Sequence, residues 1–181
     1  CVKTLAWLHV FGCPWDSSTL VVGCNYGHAD VVKYALSKGC HAEHITMSEA
    51  VARSGNLELL QYLRSQGLGW NKRTPEAAAL KGHFEMLKWI VQTCKWDSPP
   101  SWHNTWDQLT CVNAAETGRL DMLEWLVDVA MCPIDNAYED CFALAAAARG
   151  GHLEIVKWLS GRGYTTMEGK ACKEASRYGN L

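Results

Sequence analysis

The residues best equipped for chemistry in this sequence are its histidines, cysteines and tryptophans, and their spacing decides what they can do. Cys40-His41-x-x-His44 is the one cluster with metal-like spacing. A structural zinc needs four ligands in a tetrahedral array, but only three are local, and the next nearest thiol is Cys24. The competing reading is a solvent-exposed loop, so no metal and no cofactor are expected. Three histidines each follow a glycine, in Gly27-His28, Gly82-His83 and Gly151-His152. Catalysis would need one asymmetric constellation, with a base oriented by a third group. A residue that recurs once per stretch of sequence points instead to a structural role. Trp15, Trp70 and Trp96 also recur. They could form a ladder for stacking a ligand, or pack loops against each other, and packing is the expectation. Trp102 and Trp106 lie in Ser98-Pro99-Pro100-Ser101-Trp102-His103-Asn104-Thr105-Trp106, outside any recurrence. They could anchor a partner as aromatic hot spots do, or fold back over the chain. The sequence holds no GxxxxGK[ST], GxSxG or HExxH, and no GxGxxG following a strand. No enzymatic activity and no small-molecule substrate are expected.

Composition narrows the partner. The 181 residues carry 17 Lys and Arg against 19 Asp and Glu, a formal net charge of −2, with no basic cluster. That argues against nucleic acid and against an anionic membrane surface, both of which need a basic stripe. No apolar run approaches the roughly 20 residues that span a bilayer. Nine cysteines are enough for a disulfide scaffold, but nine is odd, the spacings are irregular and no CxxC occurs. Most fall among apolar helical positions, where a thiol acts as a small hydrophobe. Reduced, buried thiols and an intracellular, cytoplasmic location are therefore expected. The chain opens on Cys1 without a signal-peptide pattern, as expected of a segment from something longer.

The elements that must position these residues repeat. Taking the glycine before each amphipathic stretch as position zero gives Gly27, Gly55, Gly82, Gly118, Gly151 and Gly179, spaced by 28, 27, 36, 33 and 28 residues. Position +7 is aromatic in every complete unit: Tyr34, Tyr62, Trp89, Trp125 and Trp158. Apolar residues at +2, +4, +5 and +8 complete a broad helical stripe. Position +3 is always acidic (Asp30, Glu58, Glu85, Asp121, Glu154), which suits the positive end of a helix dipole. Lys33, Lys88 and Lys157 follow three residues later, so this is a solvated face. Gly39, Gly67 and Gly163 at +12 read as helix stops, from which Cys94 and Ala130 depart. Trp7 and Gly12 keep the same register, and Leu181 stops at +2. The chain thus begins and ends at one phase of the repeat. Without a polar capping repeat, aggregation of the isolated segment is expected.

Upstream of each glycine lies a second, small-residue helix. Thr74-Pro75-Glu76-Ala77-Ala78-Ala79-Leu80-Lys81-Gly82 is the clearest copy, with Thr74 the expected N-cap and Pro75 in the first turn. Positions −4 and −3 are small in nearly every copy, for example Ala114 and Ala115, or Ala147 and Ala148. Such a helix–turn–helix cannot bury its stripe alone, but it can against its neighbours.

Gly151-His152-Leu153-Glu154-Ile155-Val156-Lys157-Trp158-Leu159-Ser160-Gly161-Arg162-Gly163, after its Ala-rich helix, resembles the ankyrin repeat. So do Thr74-Pro75 with Ala77-Ala78-Ala79, and Gly82-His83-Phe84-Glu85-Met86-Leu87-Lys88. The resemblance covers almost the whole chain, in a divergent form whose shortest spacings fall below the family's usual period of about 33 residues. It implies an all-α, ankyrin-like α-solenoid of stacked helix–turn–helix repeats with short or trimmed hairpin loops, as one array over residues 1–181. It implies that the +1 residue ties adjacent repeats. It also implies a protein–protein interaction module, a scaffold or adaptor, whose concave face is built by the first helix at −6 and −2. Those positions hold Glu49 and Arg53, Glu76, Glu116, Arg149, and Lys173 with Arg177. Trp102 and Trp106 join them as partner-binding candidates. Alternatives are a targeting arm of a larger enzyme and a structural spacer.

Overall fold

The computed structural model describes residues 2–41, 43–69, 71–97, 108–134, 141–165 and 169–180, and among them it holds twelve α-helices and no strand. The chain forms two compact units, residues 1–74 and 75–181. Their boundary falls inside one helix, α6 (Arg73–Leu80), rather than in a linker. The first unit contains α1 (Val2–Val10), α2 (Ser17–Asn25), α3 (Ala29–Ser37), α4 (His44–Ser54) and α5 (Leu57–Ser65). The second contains α7 (Phe84–Asp97), α8 (Gln108–Glu116), α9 (Leu120–Asp128), α10 (Phe142–Gly150), α11 (Leu153–Gly161) and α12 (Lys170–Tyr178). Even-numbered helices are the small-residue first helices of each repeat, and odd-numbered ones carry the amphipathic stripe.

The glycine phase is a backbone requirement. All six position-zero glycines are left-handed, with φ between 66° and 76°, a region that L side chains enter at a cost. At five of them the +1 amide reaches back five residues, as His152 N does to Ala147 O at 2.9 Å, and closes the first helix, whereas Asn56 N donates to Ser54 Oγ at 3.3 Å. The helix stops obey the same need. Gly12, Gly39, Gly67 and Gly163 have φ between 82° and 88°. Where Cys94 replaces glycine, α7 continues to Asp97 and reaches 14 residues, against nine in α3, α5, α9 and α11. Where Ala130 replaces it, the left-handed turn passes to Met131, at φ 55°.

Packing refines the stripe. Positions +4, +5 and +8 form the core, with Leu59, Leu60 and Leu63 buried in α5 and Met122, Leu123 and Leu126 in α9. Position +2 lies at the rim instead: Leu153 is 60% exposed, and Phe84 and Leu120 are half-buried. The apolar face is therefore narrower than its sequence pattern. The +7 aromatics are half-buried, and two of them pack edge-on, Trp125 against Phe84 at 5.8 Å and Tyr34 against Trp15 at 5.7 Å. In α1 the equivalent Trp7 is exposed and stacks on Phe11 at 4.0 Å.

Small residues bring the helices together. Ala114, Ala115 and Ala147 are fully buried where α8 packs on α10, and α10 packs in turn on α12. A Cβ at Gly23 would meet Val32 Cγ2 at 3.0 Å, so α2 approaches α3 closely. The start of α6 departs from expectation. Thr74 is not its N-cap, because its buried hydroxyl is turned to Ser48 Oγ, 3.1 Å away on α4. Asn71 takes the capping role, its side-chain oxygen accepting from Arg73 N at 3.0 Å. Pro75 does lie in the first turn.

Candidate partner-binding surface

Residues that hold the repeats together must be separated from those left over for a partner. Position +1 belongs to the first group. Asn56 Nδ2 donates to Gly27 O at 2.9 Å, and Asn180 Nδ2 to Ala148 O and Arg149 O at 3.0 and 2.7 Å. His152 Nε2 donates to Glu116 O at 2.9 Å. Arg119, which the His/Asn pattern does not nominate, does the same work with Nη1 on Gly82 O at 2.9 Å. The shared requirement is an N–H donor that spans to a backbone carbonyl of the preceding repeat, and the residue type is secondary. Arg119 also grips Asp121 through Nε and Nη2, at 3.0 and 2.9 Å. That hydrogen bond holds the Asp121 carboxyl below the usual carboxylate range.

His152 sits in a slot. A Cβ on Gly118 would lie 2.6 Å from its ring, and so would a Cβ on Gly150. The imidazole is thus wedged between two glycine backbones, with Nε2 committed to a carbonyl. His28 is different, lying exposed and parallel to Tyr26 at 6.0 Å. A shallow apolar recess of about 230 Å³ lies beside the His152 slot, lined by Leu153, Val156, Ala171, Cys172 and Ala175.

Of the Cys40–His41–His44 cluster, the described side chains are those of Cys40 and His41, and they lie in different surroundings. The Cys40 thiol is buried and donates to Asp16 O at 3.3 Å, while His41 is exposed. Burial, followed by the Asp16 charge, pushes the Cys40 thiol up. Among the described residues no three His, Cys, Asp or Glu side chains are grouped to hold a metal. Trp15 packs on His9 at 4.0 Å as well as on Tyr34, in line with a packing role. Trp70, Trp102 and Trp106 lie outside the described residues, as do the side chains of His44 and Trp96.

The first-helix row is partly self-neutralised. Glu49 and Arg53 form an ion pair within α4, one turn apart. Glu116 on α8 binds Arg149 on α10 at 2.7 Å, so this pair bridges two repeats. Glu76 is half-buried, and its backbone carbonyl accepts from Asn113 Nδ2 at 3.1 Å. Lys173 is exposed, and Arg177 is exposed while bonded to Glu174 at 3.1 Å. The structure thus places the seven described candidates at the surface or its margin, as separate pairs and single charges.

It also adds residues missed by the −6/−2 reading. Leu109 and Phe142 at position −9 are 46% and 38% exposed, and Lys170 Nζ lies 4.2 Å from the centre of the Phe142 ring. Positions −9, −6 and −2 are three and four residues apart and so share a helix face. That spacing was the available signal.

Helix pairs closed by left-handed glycines, packed through small-residue columns and tied by side-chain donors at Asn56, Arg119, His152 and Asn180 define an all-α helical repeat protein. The family model described as "Ankyrin repeats (3 copies)" matches residues 76–168, just over half of the chain. The chain belongs to the ankyrin repeat family. Its repeats are generally protein–protein interaction modules. No curated protein matches the chain. Residues 1–74 lie outside the family match but repeat the same left-handed glycines and the same +1 tie. No helix among the described residues is long and apolar enough to cross a membrane.

Proposed function

We propose that this chain acts as a scaffold or adaptor arm that binds a protein partner through its first-helix row. One observation carries the reading. The left-handed glycines and the buried +4, +5 and +8 residues are committed to turns and packing, and Asn56, Arg119, His152 and Asn180 at +1 to inter-repeat bonds, whereas the surface row changes chemistry from helix to helix. Asn25, Arg53, Leu80, Glu116, Arg149 and Arg177 all occupy position −2, and apart from the Glu116–Arg149 pair no stacking requirement described above selects that series. A row of mixed charge suits a protein or peptide surface better than a phosphate backbone, and the chain's net charge of −2 points the same way. Trp102 and Trp106 belong to the proposed surface as aromatic anchors. Affinity capture should compare the native chain with the combined variant Arg53→Ala, Arg149→Ala and Trp102→Ala, after melting curves show that both are folded. Loss of captured partners from the variant is the expected result, and equal recovery from both proteins would refute the assignment.

A further inference from the structure

We infer that the face formed by α8, α10 and α12 takes an acidic peptide segment that carries an apolar anchor. The inference rests on the proposed interaction role and specifies its partner. At positions −9, −6 and −2 this face presents Leu109, Val112 and Glu116 on α8, and Phe142 and Arg149 on α10, where Ala145 at −6 is buried. On α12 it presents Lys170, Lys173 and Arg177. Single exposed apolar side chains are ordinary. Here, however, two occupy the same position on helices that pack directly together, and a lysine lies over the Phe142 ring.

The charge on this face is opposite in sign to that of the chain. The three helices carry four cations (Arg149, Lys170, Lys173, Arg177) against two carboxylates (Glu116, Glu174), an excess of two positive charges in a chain of net −2. Both carboxylates are already bound to arginines of the same face, and Lys173 stands exposed one turn from Arg177, so an approaching partner meets positive charge on α12. Complementary charge steers such encounters and selects among partners.

Spacing fixes the pattern further. Packed helices lie roughly 8–10 Å apart, and an extended peptide advances about 3.3 Å per residue. A peptide crossing the helices with its apolar side chain between Leu109 and Phe142 must cover about one and a half helix spacings and reaches the α12 cations about four residues later. The expected motif is an apolar residue followed, about four positions on in one chain direction, by Asp or Glu.

Selection of a displayed random twelve-residue peptide library on the 181-residue chain tests this. Enriched peptides are then titrated against wild type, Leu109→Ser, and the double variant Lys173→Glu/Arg177→Glu. Lys157→Glu on the second-helix face serves as control, and circular dichroism checks the fold of each. The expected result is enrichment of acidic–apolar peptides. Their affinity should fall at least about tenfold in the double variant and severalfold in Leu109→Ser, change less than about twofold in the control, and weaken with added salt. Peptides that respond to the row variants but are basic or neutral would overturn the acidic assignment and leave the interaction role standing. Peptides indifferent to every row variant would overturn both. Failure to enrich any peptide would overturn this inference, with the wider role judged by the capture comparison.

Discussion

Gly150→Ala is a substitution for which local propensity and tertiary packing predict opposite signs. Gly150 is the last residue of α10 and is not among the left-handed glycines. On helix propensity alone, alanine there should stabilise the protein by up to about 1 kcal/mol. The structure puts the new Cβ 2.6 Å from His152 Cδ2, 2.7 Å from Nε2 and 2.8 Å from the Glu116 carbonyl oxygen. Overpacking of this kind costs roughly 1–3 kcal/mol, and expelling the ring forfeits a cross-repeat hydrogen bond worth about 1 kcal/mol. The net is a loss of about 1–3 kcal/mol, which for a chain of this size lowers Tm by roughly 3–10 °C. Melting followed by circular dichroism reads this directly, and an unchanged or raised Tm would refute the slot. A mutant cycle locates the cause. For Gly118→Ala, the three nearest neighbours of the new Cβ are all atoms of the His152 ring. In a His152→Ala background its cost should shrink to the left-handed strain alone, about 1–2 kcal/mol. Gly150→Ala should recover less, because the Glu116 backbone remains in its way.

Met131, left-handed and 79% exposed, should gain from replacement by glycine. Relief of about 1–2 kcal/mol of strain, less glycine's entropic cost, leaves roughly 0.5–1 kcal/mol, whereas Met131→Ile should destabilise; a lower Tm for Met131→Gly would contradict this. In thiol labelling at neutral pH, exposed Cys13 and Cys172 should react in the folded protein. Cys24, whose thiol burial pushes up to about 12, should wait for denaturant, and labelling of native Cys24 at the Cys172 rate would count against its burial. Asp128 is held below the usual carboxylate range by its hydrogen bonds to Arg162. Its folded pKa is depressed, so its contribution is present above the unfolded value of about 3.9 and lost as pH falls through the folded one. Asp128→Asn should therefore melt below wild type at pH 7 and converge with it in acid, and a pH-independent gap would argue against the ion pair.

What the sequence reveals here is what the chain repeats. The glycine phase is legible because the same left-handed turn is required six times, so chance glycines such as Gly161 fall out of register. The buried +4, +5 and +8 columns are legible for the same reason. Features present once are much harder to read. Thr74 looks like a cap from its neighbours in sequence, but its hydroxyl answers to Ser48 on another helix. Gly150 looks like an accident of composition until the His152 ring is seen against it. Arg119 breaks the His/Asn pattern at +1 yet makes the same bond, because a carbonyl acceptor requires only a donor of sufficient reach. Position +2 joins the apolar stripe in the sequence yet lies at the rim, because apolarity reports only preference, whereas exposure also depends on what packs over the site.

The candidate surface is harder to read for a related reason, and this affects how it should be tested. Arg149 belongs both to the row and to the contact between two repeats, through Glu116. Both side chains are only about one-third exposed, so removing one partner also weakens the join between α8 and α10. A loss of binding in Arg149→Ala alone would therefore not separate recognition from stacking. Lys173 is exposed on α12 and figures in none of the inter-repeat bonds described above. Substitution there changes the field that a partner meets while leaving those bonds intact. The side chains most useful for identifying a partner are thus those at the margin of the row, where the demands of the repeat are weakest.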